Sequence, residues 1–164
     1  TEATPANDDP TFNPSTNNPF VGAQFTINPD YASKVEATAA HHPELAAQLR
    51  AVANQPTAVW LDSIASVKTI SSTLKAAATQ SKDGHTMLTL FVVYDLPNRD
   101  CSAKSSSGEL SVEAGGIERY RKEFIDPIAE QFAQFPDQRI AVVVEPDSLP
   151  NMATNMSVQK CAQS

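Results

Sequence analysis

Apolar positions along the chain fall into two patterns, short continuous runs and longer segments with helical spacing. The runs at residues 57–61, 88–94 and 140–144 are rich in Val and Leu and predict buried strands. Between and around them, apolar residues recur every three or four positions, which predicts helices. The predicted helices cover residues 31–40, 43–53, 70–79 and 117–135, and Pro127 is expected to kink or divide the last of them.

This alternation of strands and helices predicts an α/β fold with a parallel sheet built from βαβ units. The chain of 164 residues favours a single domain and is shorter than the roughly 250 residues of a complete (β/α) barrel. Residues 1–19 contain four Pro and few large apolar groups, which is typical of a linker or a loosely held tail. We therefore expect a tail at 1–19 and a folded domain at 20–164.

Two of the predicted strands run into loops that carry acids. Asp100 follows the strand at 88–94, and Asp147 follows the strand at 140–144. Because α/β folds place reactive groups at the carboxyl ends of their strands, we expect these two side chains to meet. Two close carboxylates repel each other, so one of them keeps its proton, as the acid of a glycoside hydrolase must. The alternative is that each Asp caps a following helix or turn.

Five other side chains near the strand ends have a functional and a structural interpretation. Trp60 either stacks on a sugar ring or belongs to the core. Tyr94 either reaches a ring hydroxyl or lies on the sheet, and Arg99 either holds its neighbouring acid charged or pairs with a surface acid. Asp95 and Glu145 are expected to be structural, bonding backbone amides or a neighbouring cation.

The overall charge and glycine content exclude several classes of partner. The net charge of -7 argues against nucleic acid and against anionic membrane surfaces. No apolar run reaches the roughly 20 residues that span a bilayer. The chain has five Gly and no glycine-rich phosphate loop, so we expect no dinucleotide and no other cofactor.

Cysteine usage leaves two alternatives open. Cys101 and Cys161 are the two cysteines of the chain and either form one disulfide or remain free thiols. No His lies near either of them in the sequence, so we expect no metal site. Asn155-Met156-Ser157 is an N-glycosylation sequon, a triplet that is also common by chance.

Longer motifs surround these residues and resemble a known family. Residues 93–103 read VYDLPNRDCSA, and residues 144–149 read VEPDSL. They resemble the two signatures of glycoside hydrolase family 6, whose members cut β-1,4-glucan. Trp60-Leu61-Asp62 and Asn18-Pro19-Phe20 also resemble segments of that family, so the similarity extends from about residue 18 to residue 161.

The resemblance implies hydrolysis of β-1,4-glucosidic bonds in cellulose and cello-oligosaccharides with inversion of anomeric configuration. Asp147 corresponds to the general acid, and Asp100 to the partner acid that helps it keep its proton and takes part in a water relay. Tyr94 corresponds to the tyrosine beside the distorted sugar. Ser106 corresponds to the loop serine that helps to position water.

The resemblance also implies further features of the protein. Trp60 and Asp62 are expected to bind substrate, and Cys101 and Cys161 correspond to a family disulfide. The fold is expected to be the N-terminal portion of a distorted barrel of parallel strands with outer helices, in a secreted, extracellular protein. Residues 1–17 then resemble the end of a linker from a cellulose-binding module.

The length of the chain qualifies the expected activity. The family's catalytic domain is longer, so this sequence corresponds to its N-terminal half and is expected either to pair with a C-terminal half or to be a truncated copy. The isolated chain is then expected to have little or no hydrolytic activity. The alternatives are a non-catalytic glucan-binding module that keeps Trp60 and a flavodoxin-like binder of small ligands.

Overall fold

A computed structural model describes residue 18 and residues 20–82, 87–103 and 107–163. These residues form two compact units, and the chain passes between them several times. The first unit takes its described residues from Thr1–Val59, Ser71–Leu90 and Phe135–Ala141, and the second takes them from Trp60–Ile70, Phe91–Gln134 and Val142–Ser164. Apart from Asn18, the predicted tail at 1–19 lies outside the described residues.

Four strands make one sheet, with the third strand at its centre. They are β1 (Gln24–Phe25), β2 (Val59–Leu61), β3 (Met87–Val93) and β4 (Arg139–Val144). β3 pairs with each of the others, and β1 runs parallel to it with Gln24 opposite Met87. Every residue of β3 except Leu90 is buried. The predicted parallel sheet is confirmed, and β2, β3 and β4 lie where apolar runs predicted strands.

The helices of the first unit follow the predicted spacing. α1 spans Pro29–His41 and begins after Asn28, whose side-chain oxygen accepts hydrogen bonds from two N–H groups of the first turn. Such a cap stabilises a helix by about 1 kcal/mol. A 3₁₀ turn at Pro43–Leu45 leads into α2 (Ala46–Ala53), which packs against α1. α3 (Thr69–Gln80) begins in the second unit and ends in the first.

The long helical segment of the second unit is continuous but changes its winding. It consists of α4 (Gly116–Arg119), a π-helix at Tyr120–Ile125 and α5 (Asp126–Ala133). Pro127 has no N–H group and its ring crowds the preceding turn, so the backbone widens ahead of it. The predicted division at Pro127 is therefore wrong: the segment stays continuous and changes its helix type instead, while a kink stays a prediction.

Two short helices follow β4. They are α6 (Ser148–Thr154) and α7 (Gln159–Ala162), and the sequence analysis predicted neither. Pro150 lies in the first turn of α6, where a missing N–H group leaves no helical hydrogen bond unmade. Within the described part of the chain, no helix is both long enough and apolar enough to cross a membrane.

Candidate active site

The loops after β3 and β4 carry the predicted acids and hold strained backbone. Asn98, Asp100 and Glu145 have φ angles of 62°, 52° and 45°, and no other described non-glycine residue has a positive φ. Each such residue costs on the order of 1–3 kcal/mol and persists only where its surroundings hold it. The Asn98 side chain, for example, donates to the carbonyl of Lys160 and accepts from the N–H of Val112. Strain of this kind concentrates at functional sites, which makes these loops the candidate site.

The Tyr94 hydroxyl brings the two acids together. Its oxygen lies 2.8 Å from Asp100 Oδ1 and 3.0 Å from Asp147 Oδ2. Because both carboxyl oxygens contact one atom, they are no farther apart than the sum of these two distances. Residues separated by 47 positions in the sequence therefore meet at one phenol, as the sequence analysis predicted for the acid pair.

Tyr94 has one hydroxyl proton, which restricts the hydrogen bonds that it can make with Asp100 and Asp147. A phenol carries one proton and donates it to one acceptor at a time. The second short contact becomes a hydrogen bond when that carboxyl group is itself protonated and donates to the phenol oxygen. Burial, followed by the hydrogen bonds to Asp100 and Asp147, raises the pKa of Tyr94 above its ordinary value, so the phenol keeps its proton.

The capping alternative is wrong for Asp147. This residue occupies the N-cap position of α6, yet its side chain makes no capping hydrogen bond. Its carboxyl group contacts Tyr94 instead, and the residue is exposed to solvent. An exposed acid that leaves its own helix uncapped is available to a ligand.

Arg99 supplies the positive charge beside the acid pair. Its guanidinium carbon lies 4.8 Å from the centre of the Tyr94 ring, and its Nη1 lies 3.7 Å from Asp100 Oδ2. The arginine is tightly enclosed, because a Cβ added at Gly108 would lie only 2.7 Å from its Nε. Of the two predicted roles for Arg99, the contact with its neighbouring acid is present in the structure.

Asp95 has the structural role that the sequence predicted. It is fully buried, its Oδ1 lies 3.3 Å from Arg99 Nε, and its Oδ2 meets no hydrogen-bond donor among the described residues. Burial raises the pKa of Asp95 to about 6, because the loss of water outweighs the attraction of Arg99. The charges of Glu109 and Glu145 add to the rise.

Trp60 is the middle residue of β2 and has 52% of its surface exposed, so the core alternative for this residue is wrong. Its ring meets the Tyr94 ring edge to face, with centroids 5.6 Å apart. Asp62 is exposed, and its backbone carbonyl accepts a hydrogen bond from Arg99 Nη2 at 3.1 Å. Its carboxyl group contacts Ser63 Oγ at 3.5 Å and does not line the pocket of the acid pair. Substrate binding by Trp60 and Asp62 stays a prediction.

A small pocket lies at the acid pair. Its volume is about 30 Å³, which suits a water molecule and not a sugar ring. A ligand larger than water would therefore have to lie over its open side, where Asp147 is exposed. The residues lining it include Tyr94, Arg99, Asp100, Asp147, Asn151 and Cys161.

The predicted disulfide between Cys101 and Cys161 is confirmed, with Cα atoms 5.2 Å apart. It attaches the loop after β3 to α7 and lies in the wall of the same pocket. Ser106 lies outside the described residues. Asn155 of the sequon is half-buried and its Nδ2 donates to Asn151 Oδ1, so its glycosylation stays a prediction. The described residues contain no cluster of three or more His, Cys, Asp or Glu that could hold a metal ion.

Sequence reasoning missed one contact behind the site. The hydroxyl of Tyr120 donates to Glu145 Oε1 at 2.9 Å, although the sequence indicated for Tyr120 only a place in the helix predicted at 117–135. Burial raises the pKa of Tyr120 above its ordinary value, so it remains a donor. The sequence carried no signal for this pair, because the partners are 25 residues apart and lie on different elements.

Comparisons with known proteins agree with the resemblance of the motifs. Exoglucanase 3 from Agaricus bisporus is 43% identical over 147 residues, which make up 88% of this chain and 32% of that protein. The catalytic core domain of the cellobiohydrolase Cel6A from Chaetomium thermophilum matches with a TM-score of 0.80 and 44% identity, over 88% of this chain and 41% of that one. Cellobiohydrolase II (Cel6A) from Humicola insolens, in complex with glucose and cellotetraose, matches with a TM-score of 0.78 and 38% identity over the same shares.

The chain thus spans about a third or less of the length of the curated relatives it matches. The matched structures have a distorted α/β barrel, and the parallel sheet and helices described above correspond to part of that fold, as predicted. The family model described as "Glycosyl hydrolases family 6" matches residues 20–164, nearly the whole sequence. The chain belongs to glycosyl hydrolase family 6.

Proposed function

We propose that this sequence supplies the general acid and its partner acid to the catalytic site of an inverting cellulase. The reaction is hydrolysis of β-1,4-glucosidic bonds in cellulose and cello-oligosaccharides. The observation that carries the proposal is the Tyr94 hydroxyl, which lies within 3.0 Å of both Asp100 and Asp147 in strained loops. The names of the relatives, exoglucanase and cellobiohydrolase, support the substrate class.

Asp147 is the general acid in this proposal. It is exposed at the pocket, so its proton can reach the glycosidic oxygen of a bound chain. As the bond between that oxygen and the anomeric carbon breaks, the proton completes the leaving hydroxyl. A water molecule attacks the anomeric carbon from the other face and gives up a proton to solvent, and Asp147 is then reprotonated. The reaction consumes one water molecule for each bond cleaved.

In this proposal Asp100 acts through Tyr94 and a water relay, and it does not take the proton of the attacking water directly. Inverting enzymes that use a direct acid–base pair keep the two carboxyl groups about 6.5–9.5 Å apart, to leave room for the attacking water. The nearest oxygens of Asp100 and Asp147 are closer than that, because both contact one phenol oxygen. Asp100 is thus placed to take the Tyr94 hydrogen bond while Asp147 keeps its own proton.

Substrate contacts and cellular location belong to the same proposal. Trp60 is the exposed aromatic ring beside Tyr94, and an indole stacks well on the apolar face of a sugar. The Cys101–Cys161 disulfide supports a secreted, extracellular protein, because such bonds form in oxidising compartments. We propose that the complete site also uses residues from the rest of the family's catalytic domain, in the same polypeptide or as a second fragment.

The test uses the longest natural polypeptide that carries this sequence, called the parent polypeptide below. Asp147→Ala should lower kcat on cellotetraose by about 10²–10⁴-fold, the usual contribution of a general acid. The loss should be much smaller on a dinitrophenyl cellobioside, because that leaving group departs without a proton. Binding of cellotetraose should survive, and NMR of the first product should show the α-anomer. Asp137→Ala, a change of the same kind at an exposed residue of the first unit, is the control.

Two outcomes would contradict the proposal in different ways. Equal losses on both substrates would remove the acid role from Asp147. Binding of cellotetraose by the unaltered parent polypeptide without any turnover would instead favour the non-catalytic glucan-binding module.

A further inference from the structure

Glu145 is a buried acid at the end of β4 that the proposed mechanism does not use. It is 7% exposed and has a φ of 45°, a conformation that long side chains rarely adopt. Its backbone is bonded on both sides: its N–H donates to the Val93 carbonyl at 2.9 Å, and its carbonyl accepts from Ser148 N–H and Oγ at 3.1 and 2.8 Å. These contacts hold the residue in place despite its conformation.

Glu145 belongs to the loop after β4, and its side chain contacts the loop after β3 and the long helical segment. Its Oε1 accepts hydrogen bonds from the Asp95 N–H at 3.0 Å and from the Tyr120 hydroxyl at 2.9 Å. Asp95 directly follows Tyr94, and Asp147 lies two residues after Glu145 itself. Glu145 Oε1 is therefore hydrogen-bonded to the backbone next to Tyr94. Glu145 is also linked to Asp147 through the short stretch of chain between them.

Tyr120 anchors this carboxyl group to the long helical segment. It is the first residue of the π-helix at Tyr120–Ile125, and π-helices are rare and often occur at functional sites. Its ring packs on the fully buried Phe124, with centroids 5.6 Å apart. A hydroxyl on a ring packed in this way is a fixed donor, so Glu145 cannot shift without breaking its bond to Tyr120.

We infer that Glu145 is a positioning residue for the reaction: its carboxyl group sets the distance between the Tyr94 hydroxyl and Asp147. The inference rests on the proposed function, because only there does that distance govern a proton transfer. Glu145 lines the small pocket, which suits a water molecule, and it is buried below the open side where a sugar would lie, so its role should appear in kcat and not in KM. A misplacement of about 1 Å in a catalytic site can cost about 100-fold in rate.

The experiment compares two substitutions of Glu145 in the parent polypeptide. Glu145→Ala removes the acceptor for both donors and should lower kcat on cellotetraose about 30- to 100-fold with KM unchanged. Glu145→Gln keeps an oxygen acceptor in the same place, and the oxygen it replaces, Oε2, has no hydrogen-bond partner among the described residues. It should therefore keep kcat within about threefold of the unaltered protein, far above the Ala variant.

Two further variants distinguish an effect on kcat from a simple loss of stability. Tyr120→Phe deletes one hydroxyl at little change in volume and should lower kcat about tenfold, so it carries the test if Glu145→Ala does not fold. Leu74→Ala, at a fully buried residue of α3 in the first unit, should lower the melting temperature but leave kcat within about twofold.

Amide hydrogen exchange at Asp95 gives a readout that does not depend on turnover. Its N–H should lose protection in Glu145→Ala and keep it in Glu145→Gln. Unchanged kcat in both Glu145→Ala and Tyr120→Phe would overturn the inference and leave the proposed function standing. If the unaltered protein shows no turnover, the proposed function fails. If, in addition, exchange at the Asp95 N–H is unchanged in Glu145→Ala, the hydrogen bond from Asp95 to Glu145 does not position the loop after β3 either.

Discussion

At the scale of single residues, burial separates the acids of the site into two kinds. Asp95 is fully enclosed beside Arg99, whereas Asp147 is exposed at the pocket. An enclosed carboxyl group loses the solvation of its charge and therefore binds its proton more tightly. Asp95 accordingly links folding to pH, while Asp147 remains available for chemistry.

Asp95 should make the protein less stable as the pH rises from about 4 to 6. Its pKa is raised from 3.8 to about 6 in the folded state, so in this window the folded chain holds a proton that the unfolded chain has released. The contribution to stability is complete below pH 4 and is lost as the pH rises through 6. It amounts to roughly 3 kcal/mol, at about 1.4 kcal/mol for each pH unit.

Asp95→Asn isolates this effect, because the amide is neutral at every pH. In urea unfolding of the parent polypeptide, the variant should gain roughly 3 kcal/mol relative to the unaltered protein between pH 4 and pH 7. Comparing the two proteins at each pH cancels the titration of all other groups. A difference between them that does not change with pH would contradict the raised pKa.

Residue roles were predictable where the signal was local. The position of Asp95 and Glu145 at strand ends was enough to predict structural roles, and both make the expected bonds to a cation or a backbone amide. The contact of Tyr120 with Glu145 was not predictable, because it depends on how a helix packs behind two strands. The exposure of Trp60 was not predictable either, because the apolar run at 57–61 does not show which of its side chains are buried.

At the scale of elements, the disulfide is the covalent link between the loop after β3 and α7. Cys101 follows the strained Asp100, and Cys161 lies on a helix of only four residues. A helix this short has little stability of its own. The cross-link therefore maintains the contact between two elements that are individually weak.

Replacing both cysteines by serine should cost about 4 kcal/mol of unfolding free energy, since the bridge closes a loop of 60 residues. The measurement is urea unfolding of the parent polypeptide without reductant. Cys101→Ser alone should cost about as much as the double variant, because either change removes the cross-link. A single variant that is clearly more stable than the double variant would show that packing of the sulfur atoms, and not the cross-link, is responsible.

Element prediction succeeded where apolar residues are continuous or regularly spaced. β3 and α3 are such elements, and their observed bounds differ from the predicted ones by one residue at either end. β1, with two residues, and α6, whose described side chains are largely exposed, carry too little apolar pattern to be recognised. The π-helix depends on the geometry around Pro127, which periodicity does not encode.

At the scale of the whole molecule, β4 leaves apolar surface exposed. Val142, Val143 and Val144 are 39%, 42% and 60% exposed, and within the described residues β4 pairs with β3 alone. An exposed apolar strand edge readily pairs with another chain. The structural relatives, of which this chain covers 41%, contain further polypeptide that could cover such a strand.

The 164-residue chain by itself should therefore associate with itself and show little or no cleavage of cellotetraose, in contrast to the parent polypeptide. Sedimentation velocity over a range of concentrations measures the association, and release of reducing sugar measures the cleavage. Val144→Lys places a charge on the exposed strand and should weaken association without restoring cleavage. Ile117→Lys, at a residue of α4 that is 62% exposed, should change neither. Cleavage by a monomeric 164-residue chain at the rate of the parent polypeptide would contradict the prediction, because the site would then need nothing beyond the residues in this sequence.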